Sequence, residues 1–350
     1  FYLRAHHVYL TLWVHDALLL ASGDVAQSGI RTATCELEGG VAHSVRYEWI
    51  RQREWNMARL GWENAKRASE ECLDAVETAR DADAVVICTG FTAASESEGF
   101  DREFGLPGLQ NDFIRAVAEA NPNSAVLLHA GGNVDMEPWL DGVKGLLHVW
   151  YPGQNGGQAA GEILFGQVNP SGKLPATFER KLEDRGSTDC YQDEDGDKRV
   201  QLYDGVFTGY RHFDRQDIEP RFPFGFGLSY TQFAYENLEL SVDTVDVAEG
   251  LTVTFDVVNT GDRAGAEIAQ VYLTDVEATV PRPEKEMKGF ARVELQAGER
   301  RTVQIELGPE ALEFFDMDLR EWTAEPGEFR VLVGSNCRDI HLEASFCLET

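Results

Sequence analysis

The stretch "NAKRASEECLDAVETARDADAVVICTG", residues 64–90, decides the fold. Its apolar residues recur at helical spacing from Ala68 to Ala79 with charged residues between them, which predicts an amphipathic helix. The β-branched run that follows, Val85–Thr89, predicts a buried strand that ends at a glycine. A helix that leads directly into an apolar strand is one unit of a parallel α/β sheet.

The same unit repeats downstream. The stretch "LQNDFIRAVAEANPNSAVLLHAGG", residues 109–132, predicts a helix, an Asn-Pro break and a strand over Ala125–Ala130. Residues 143–153, "VKGLLHVWYPG", predict a third strand, and residues 155–166, "NGGQAAGEILFG", predict a third helix. Strands that are apolar on both faces and alternate with helices indicate a mainly parallel α/β sandwich domain, which we assign to residues 65–233.

The regions on either side are rich in strands. Residues 1–64 alternate like strands and predict a partial β-sandwich, with a hairpin around the Gly-Gly pair of "TATCELEGGVAHSVRYEWI", residues 32–50. Residues 234–350 contain alternating runs separated by turn residues, the pattern of an immunoglobulin-like β-sandwich of about 110 residues. The predicted fold class is therefore α/β plus all-β, in three domains.

Charge and composition exclude several classes of partner. The formal net charge of −29 disfavours nucleic acid and anionic membrane surfaces, and no apolar run approaches the ~20 residues that span a bilayer. The chain has 24 arginines, 7 lysines and a large excess of acidic residues, which fits either a salt-adapted source or an ordinary acidic protein. The six cysteines show no metal-binding spacing, so we predict no metal site, and free thiols are favoured over a Cys337–Cys347 pair.

Three loops follow the carboxyl ends of the predicted parallel strands, where doubly wound sheets bind their ligands. They are "FTAASESEGFDRE" (91–103), "GGNVDMEPW" (131–139) and "PGQNGGQ" (152–158). None of them carries the glycine pattern of a dinucleotide site or a P-loop, so a nucleotide cofactor is not predicted.

The first of these loops is the longest and the most acidic. Its four carboxylates, Glu96, Glu98, Asp101 and Glu103, surround a single arginine, Arg102. Crowded carboxylates can raise one another's pKa toward the range that suits a general acid. Acidic loops are, however, usually solvated surfaces, and composition alone leaves both interpretations open.

Several segments resemble glycoside hydrolase family 3, the β-glucosidase-like enzymes. They are "SEGFDREFGLPGLQ" (97–110), "VWYPGQNGGQAAGEILFGQVNPSGKLPATF" (149–178) and "FPFGFGLSYTQF" (222–233). Farther on, "NTGDRAGAEIAQVYL" (259–273) resembles the fibronectin type III-like domain that ends many members. More weakly, "LEGGVAHSVRYEW" (37–49) resembles the tail of the protective-antigen-like insert that some members carry.

The resemblance implies a retaining β-glycosidase, and a β-glucosidase in particular, that hydrolyses terminal non-reducing β-linked sugars without a cofactor. Such enzymes use two carboxyl groups about 5–5.5 Å apart. The position that matches the general acid/base of the family is Glu98, with Glu96 as its rival. Asp101 and Arg102 are expected to shape the loop through an ion pair and hydrogen bonds.

The resemblance also implies that the catalytic nucleophile lies elsewhere. In the family it is an aspartate of an N-terminal TIM-like barrel, and these 350 residues contain neither the barrel nor its motif. The expected partners are that barrel, on the same polypeptide, and a β-linked oligosaccharide or an aryl or alkyl β-glycoside. The chain alone is expected to be nearly inactive. Asn155 and Asp204 are mild departures from the family pattern, and a non-catalytic carbohydrate-binding or structural module is the alternative.

Overall fold

The computed structural model of the chain describes residues 2–6, 8–21, 29–38, 40–51, 57–61, 65–98, 102–186, 199–246 and 249–349. The chain divides into two compact units, residues 1–156 and 157–350. The predicted domain boundaries at residues 65 and 234 follow changes in the type of secondary structure and not this division, and they stay a prediction.

In the first part of unit one, the described residues form six strands in two antiparallel sheets, with the orders β4-β1-β6 and β3-β2-β5. The strands are β1 (Tyr2–His6), β2 (Val8–Val14), β3 (Ala17–Ala21), β4 (Gly29–Thr32), β5 (Val45–Arg51) and β6 (Met57–Gly61). The predicted β-rich segment is confirmed.

The predicted hairpin around the Gly-Gly pair is wrong. β4 pairs with β1, whereas β5 pairs with β2 along seven residues from Val8↔Arg51 to Val14↔Val45. The connection between β4 and β5 is too long for a tight turn, since residues 33–38 form no strand. β5 therefore lies beside β2, in a different sheet from β4.

The α/β region follows the predicted alternation of helices and strands. Its elements are α1 (Ala65–Arg80), β7 (Val85–Gly90), α2 (Gln110–Ala120), β8 (Ser124–His129), β9 (Gly145–His148) and α3 (Gly156–Leu164). The three strands form a parallel sheet in the order β7-β8-β9, with Val85 beside Ser124 and Ala125 beside Gly145. The predicted parallel α/β architecture is confirmed.

The Asn-Pro break between α2 and β8 is a fixed corner. The Asn121 side chain donates hydrogen bonds to the carbonyl oxygens of Ala79 (2.8 Å) and Ala82 (2.7 Å), and its own oxygen accepts one from the Asn123 N–H. The first two bonds satisfy carbonyl groups in the last turn of α1 and in the turn that follows it. Pro122 cannot continue a helix, so the chain turns here into β8.

One face of β7 differs from the prediction. Ile87 and Thr89 are buried, whereas Val86 and Cys88, on the opposite face, are exposed. α2 packs beside this strand, and Ile114 and Val117 of α2 are buried. An apolar run shows that a strand can be buried on both faces, but it does not show that both faces are covered.

Unit two contains a short helix, α4 (Tyr210–Arg215), and a β-sandwich. The main sheets of the sandwich have the orders β10-β12-β15 and β11-β19-β18-β13-β14, and β16 and β17 form a separate hairpin. The strands are β10 (Phe233–Leu240), β11 (Thr244–Asp246), β12 (Leu251–Asn259), β13 (Gly265–Asp275), β14 (Glu286–Leu295), β15 (Arg300–Leu307), β16 (Phe314–Asp316), β17 (Glu321–Thr323), β18 (Gly327–Asn336) and β19 (Asp339–Glu349).

The sandwich has a closed apolar core, as predicted. Along β12 the alternate residues Val253, Phe255 and Val257 are fully buried, which is the pattern of a strand with one face on a core. Phe329 and Phe346 stack across β18 and β19 with ring centroids 5.5 Å apart. Cys337 is buried, Cys347 is exposed, and both are free thiols.

A buried carboxylate links α4 to the sandwich within unit two. Asp214, whose side chain is 1% exposed, pairs with Lys285 Nζ at 2.6 Å and with Arg338 Nε at 3.1 Å. Two cations therefore neutralise one buried anion, which is the condition under which a charge can be buried at all.

Candidate active site

One carboxylate ties together the three loops at the carboxyl edge of the parallel sheet. Parallel pairing places Gly90 beside His129, so the loops after β7 and β8 leave the sheet together. Glu96, in the first loop, accepts hydrogen bonds from the backbone N–H of Gly131 (2.9 Å) and from the hydroxyl of Tyr151. Gly131 and Tyr151 belong to the segments after β8 and β9, so the segments that follow the three strands meet at one edge of the sheet.

The same carboxylate forms the main ion pair of the loop. Arg102 Nε lies 2.7 Å from Glu96 Oε1, and both side chains are largely buried. The Arg102 guanidinium also donates to the carbonyl oxygens of Glu103 and Asn133, and it lies over the Phe91 ring at 4.6 Å from the centroid. Arg102 therefore holds this loop with Glu96 as its carboxylate partner, and its predicted ion pair with Asp101 stays a prediction.

The base of the first loop is closed by Gln110 at the start of α2. Its side-chain oxygen accepts hydrogen bonds from the Thr89 hydroxyl and the Gly90 N–H (2.8 Å). Its side-chain nitrogen donates to the carbonyl oxygens of Gly90 (3.0 Å) and Pro107 (3.1 Å). Both ends of the 91–109 segment are thus fixed by one amide group.

The start of the loop is a compact turn. The N–H groups of Ser95 and Glu96 both donate to the Thr92 carbonyl oxygen, at 2.8 and 2.9 Å, and the Ser95 hydroxyl accepts from the Thr92 N–H at 3.0 Å. This turn leads the chain from β7 to Glu96 and fixes the position of the Glu96 backbone, from which its side chain extends.

Glu98 stands apart from this network. Its side chain is exposed, and it makes no hydrogen bond or ion pair with the described residues. The predicted ion pair of Asp101 lies outside the described residues. The structure therefore brings Glu96 and Arg102 together and leaves Glu98 open to solvent, two residues farther along the same loop.

Burial and its polar contacts together determine the charge state of Glu96. Burial raises the pKa of Glu96, but hydrogen bonds from Tyr151 and the Gly131 N–H, together with the Arg102 cation, outweigh it and hold that pKa below its usual range. In turn, burial and the bound Glu96 carboxylate raise the pKa of Tyr151 to about 12. Around neutral pH, Glu96 is therefore an anion that accepts hydrogen bonds, and Tyr151 is a neutral donor.

The backbone before Tyr151 is strained. Trp150 has φ of +55°, a left-handed conformation that is rare for a bulky aromatic residue. Its ring lies against His148 with centroids 4.4 Å apart. Burial lowers the pKa of His148, so this imidazole is neutral at pH 7. Strain of this kind persists only where the surroundings over-determine the conformation, and it is frequent at functional sites.

Sequence reasoning missed Gln110, Gly131 and Tyr151 as members of this site. All three lie in segments that the motif analysis had already delimited, and Gln110 ends the stretch "SEGFDREFGLPGLQ". The sequence alone did not show which residues of the three loops contact one another. Among the residues described, no group of three or more potential ligands could hold a metal ion, and no helix is long and apolar enough to cross a membrane.

Two family models match the chain. The family model for the glycosyl hydrolase family 3 C-terminal domain matches residues 19–230, and the model for the fibronectin type III-like domain matches residues 267–337.

Several β-glucosidases are similar to this chain. A β-glucosidase of Rhizobium radiobacter is 43% identical over 79% of this chain and 34% of its own length. The thermostable β-glucosidase B of Acetivibrio thermocellus is 41% identical over 85% of this chain and 40% of its own length. The structure of a Kluyveromyces marxianus β-glucosidase in complex with glucose matches with a TM-score of 0.78 at 31% identity. It covers 100% of this chain and 43% of that one. The chain thus spans well under half of each of these proteins.

Proposed function

The chain belongs to glycosyl hydrolase family 3, and on that premise we propose that it is the C-terminal portion of a retaining β-glucosidase. The fibronectin type III-like domain and the α/β sheet are the parts of that enzyme present here. The proposed substrates are β-linked oligosaccharides and aryl or alkyl β-glucosides, bound with the TIM-like barrel of the same polypeptide. No cofactor is required.

In this proposal Glu98 is the general acid/base. In the first step an aspartate of the barrel attacks the anomeric carbon, and the Glu98 carboxylic acid donates its proton to the departing glycosidic oxygen. In the second step the Glu98 carboxylate takes a proton from water, and that water oxygen attacks the anomeric carbon of the glycosyl-enzyme. The aspartate leaves as a carboxylate, and the sugar keeps its β configuration.

The observation that supports Glu98 over Glu96 is the difference in their surroundings. All the hydrogen bonds that Glu96 accepts stabilise its anionic form, and a carboxylate held in that form is a poor proton donor. Glu98 is exposed and uncommitted among the described residues, so its carboxyl group can reach a substrate bound outside this chain. A general acid must reach the leaving-group oxygen to transfer its proton.

The test compares substrates whose leaving groups need different amounts of protonation. In the full-length enzyme, Glu98→Ala should lower kcat/KM for cellobiose by about 10²- to 10⁴-fold, because the alcohol leaves only when it is protonated. The same variant should keep kcat/KM for 2,4-dinitrophenyl β-glucoside, since dinitrophenolate leaves without help. The kcat for that substrate should fall, because water attacks the glycosyl-enzyme slowly without a general base. Added azide should restore kcat and give β-glucosyl azide, because azide attacks without a general base.

Two results would refute this assignment. One is a Glu98→Ala enzyme that hydrolyses cellobiose like the wild type. The other is equal losses on both substrates, which would indicate damage to folding or to sugar binding. A non-catalytic module, the alternative, predicts that the complete polypeptide hydrolyses neither substrate.

A further inference from the structure

We infer that Glu96 and Tyr151 form a positioning pair that sets the place of the general acid/base two residues away. This inference rests on the proposed function of Glu98. Glu96, the rival of Glu98 for the catalytic role, is here a positioning residue. Tyr151 has a positioning role that neither the sequence motifs nor the comparisons give it.

The first ground is geometry. The Glu96 carboxylate is held by a charged side chain of its own loop, by a backbone N–H of the second loop and by a phenol of the third. Three donors from three segments leave a carboxylate little freedom to rotate or to shift. Glu98 is joined to Glu96 through one intervening residue, so fixing Glu96 limits the positions that the Glu98 Cα can take.

The second ground is the strain at Trp150. A tryptophan in the left-handed region costs free energy relative to an ordinary backbone conformation. This conformation immediately precedes Tyr151, whose hydroxyl meets Glu96. The strained conformation beside this exposed loop must be held by contacts with its surroundings. The hydrogen bond between Tyr151 and Glu96 is one of these contacts.

The third ground is the close approach at Gly131. A Cβ added to Gly131 would lie 2.9 Å from Glu96 Oε1 and 3.4 Å from Tyr151 Cε2. Gly131 has no positive φ that would itself require glycine. The absence of a side chain here lets its N–H reach the carboxylate, so the site depends on the place of the Glu96 oxygen to within tenths of an ångström.

Three variants test the positioning pair. Tyr151→Phe removes one hydroxyl and keeps the ring. Glu96→Gln keeps the shape and removes the charge. Gly131→Ala removes no partner, but it displaces the pinned carboxylate. Gly132→Ala is the matched control, because its added Cβ would be 3.5 Å from Arg102 Nη2, an ordinary van der Waals distance.

The readout is the dependence of kcat/KM on the leaving group, measured in the full-length enzyme. A displaced general acid should lower kcat/KM for cellobiose by on the order of 10- to 100-fold. It should change kcat/KM for 2,4-dinitrophenyl β-glucoside by less than about twofold, since that leaving group needs no proton. We expect this difference between the two substrates, called the split below, for Tyr151→Phe, Glu96→Gln and Gly131→Ala. For Gly132→Ala we expect no change of kcat/KM on either substrate.

The activated substrate serves as the control for folding in every variant. If Tyr151→Phe and Gly131→Ala lose equal rate on both substrates, or lose none on cellobiose, the positioning role is wrong. Glu98→Ala, measured in parallel, separates that failure from failure of the proposed function. If Glu98→Ala shows the split and the other variants do not, only the positioning role falls. If Glu98→Ala shows no split, both fall.

Discussion

The core of the β-sandwich and the loops at the carboxyl edge of the parallel sheet are held in opposite ways. In the sandwich, large side chains such as Phe255, Phe329 and Phe346 are almost completely buried among many apolar neighbours. At the loop edge, a few polar contacts converge on one carboxylate, Glu96. In the sandwich, the stabilising free energy is distributed over many contacts. In the loops, a few contacts determine where the side chains lie. Substitutions should therefore lower stability in the first region and the rate of reaction in the second.

The largest expected effect lies in the sandwich core. Phe255→Ala removes a fully buried ring and leaves a cavity, which should destabilise unit two by about 3–5 kcal/mol. Hydrogen exchange read by mass spectrometry on the complete polypeptide measures this loss locally, as weaker protection of β12 and its neighbours.

The matched control is Phe290→Ala on β14, where the side chain is 63% exposed. It should change the protection of the same strands by less than about 0.5 kcal/mol, since it leaves no cavity. Equal losses at Phe255 and Phe290 would contradict the claim that the apolar core holds this region.

The next effect tests whether a polar contact in unit two can matter as much as an apolar one. Asp214→Asn keeps the volume of the side chain but leaves Lys285 and Arg338 without their carboxylate. Removing one partner of a buried ion pair should cost about 3 kcal/mol. Hydrogen exchange of α4 and of the β13–β14 connection measures it.

Glu343→Gln provides the contrast, because its pair with Arg330 is 3.0 Å long but half exposed. It should change local stability by less than about 1 kcal/mol. If the two substitutions cost the same, burial is not what makes the Asp214 contacts matter.

The third effect lies where the sheet passes into the loops. Gly90 has φ of +141°, and a Cβ added there would lie 1.9 Å from the carbonyl oxygen of His129. Gly90→Ala must separate the ends of β7 and β8, at a cost of about 1–3 kcal/mol. It should lower activity on cellobiose and on the dinitrophenyl glucoside together. Gly105→Ala, whose Cβ would meet nothing within 4 Å, should leave both rates unchanged, and a loss there would indicate that the whole loop is sensitive to substitution.

The two regions also differ in how far the sequence predicts them. Hydrophobic periodicity is a local signal, and it predicted the helix Ala65–Arg80, the parallel strands and the alternation of β12 correctly. It failed where a strand had to choose a partner, since β5 pairs with β2 and not across the Gly-Gly turn. Val86 and Cys88 show the same limit, because an apolar run does not identify the covered face of β7.

At the candidate site, residue types alone could show which carboxylates are present but not which of them are engaged. Glu96 and Glu98 are both glutamates of one acidic loop, and the contact that separates them comes from Tyr151, 55 residues downstream. That contact depends on three parallel strands in register and on a left-handed Trp150. Neither feature has a local sequence signal, so the motif resemblance alone selected Glu98.

The smallest expected effect is a dependence of loop stability on pH. The folded-state pKa of Glu96 is lowered, since its hydrogen bonds and Arg102 outweigh the effect of burial. The stability that this carboxylate contributes is therefore fully present above its ordinary pKa of about 4.3. It is lost as the pH falls through the lowered folded-state pKa. At pH 6, wild-type protein should protect the 91–98 segment about 1 kcal/mol better than Glu96→Gln does.

This difference should shrink as the pH falls below about 4.3 and through the lowered folded-state pKa of Glu96, because wild-type Glu96 becomes neutral like the glutamine. Hydrogen exchange, corrected for the intrinsic rate at each pH, measures it. Glu103→Gln is the control in the same loop and should track the wild type at every pH. A pH-independent gap between wild type and Glu96→Gln would mean that shape, and not charge, holds the three loops together. In that case the loop edge would be stabilised by packing, like the sandwich core.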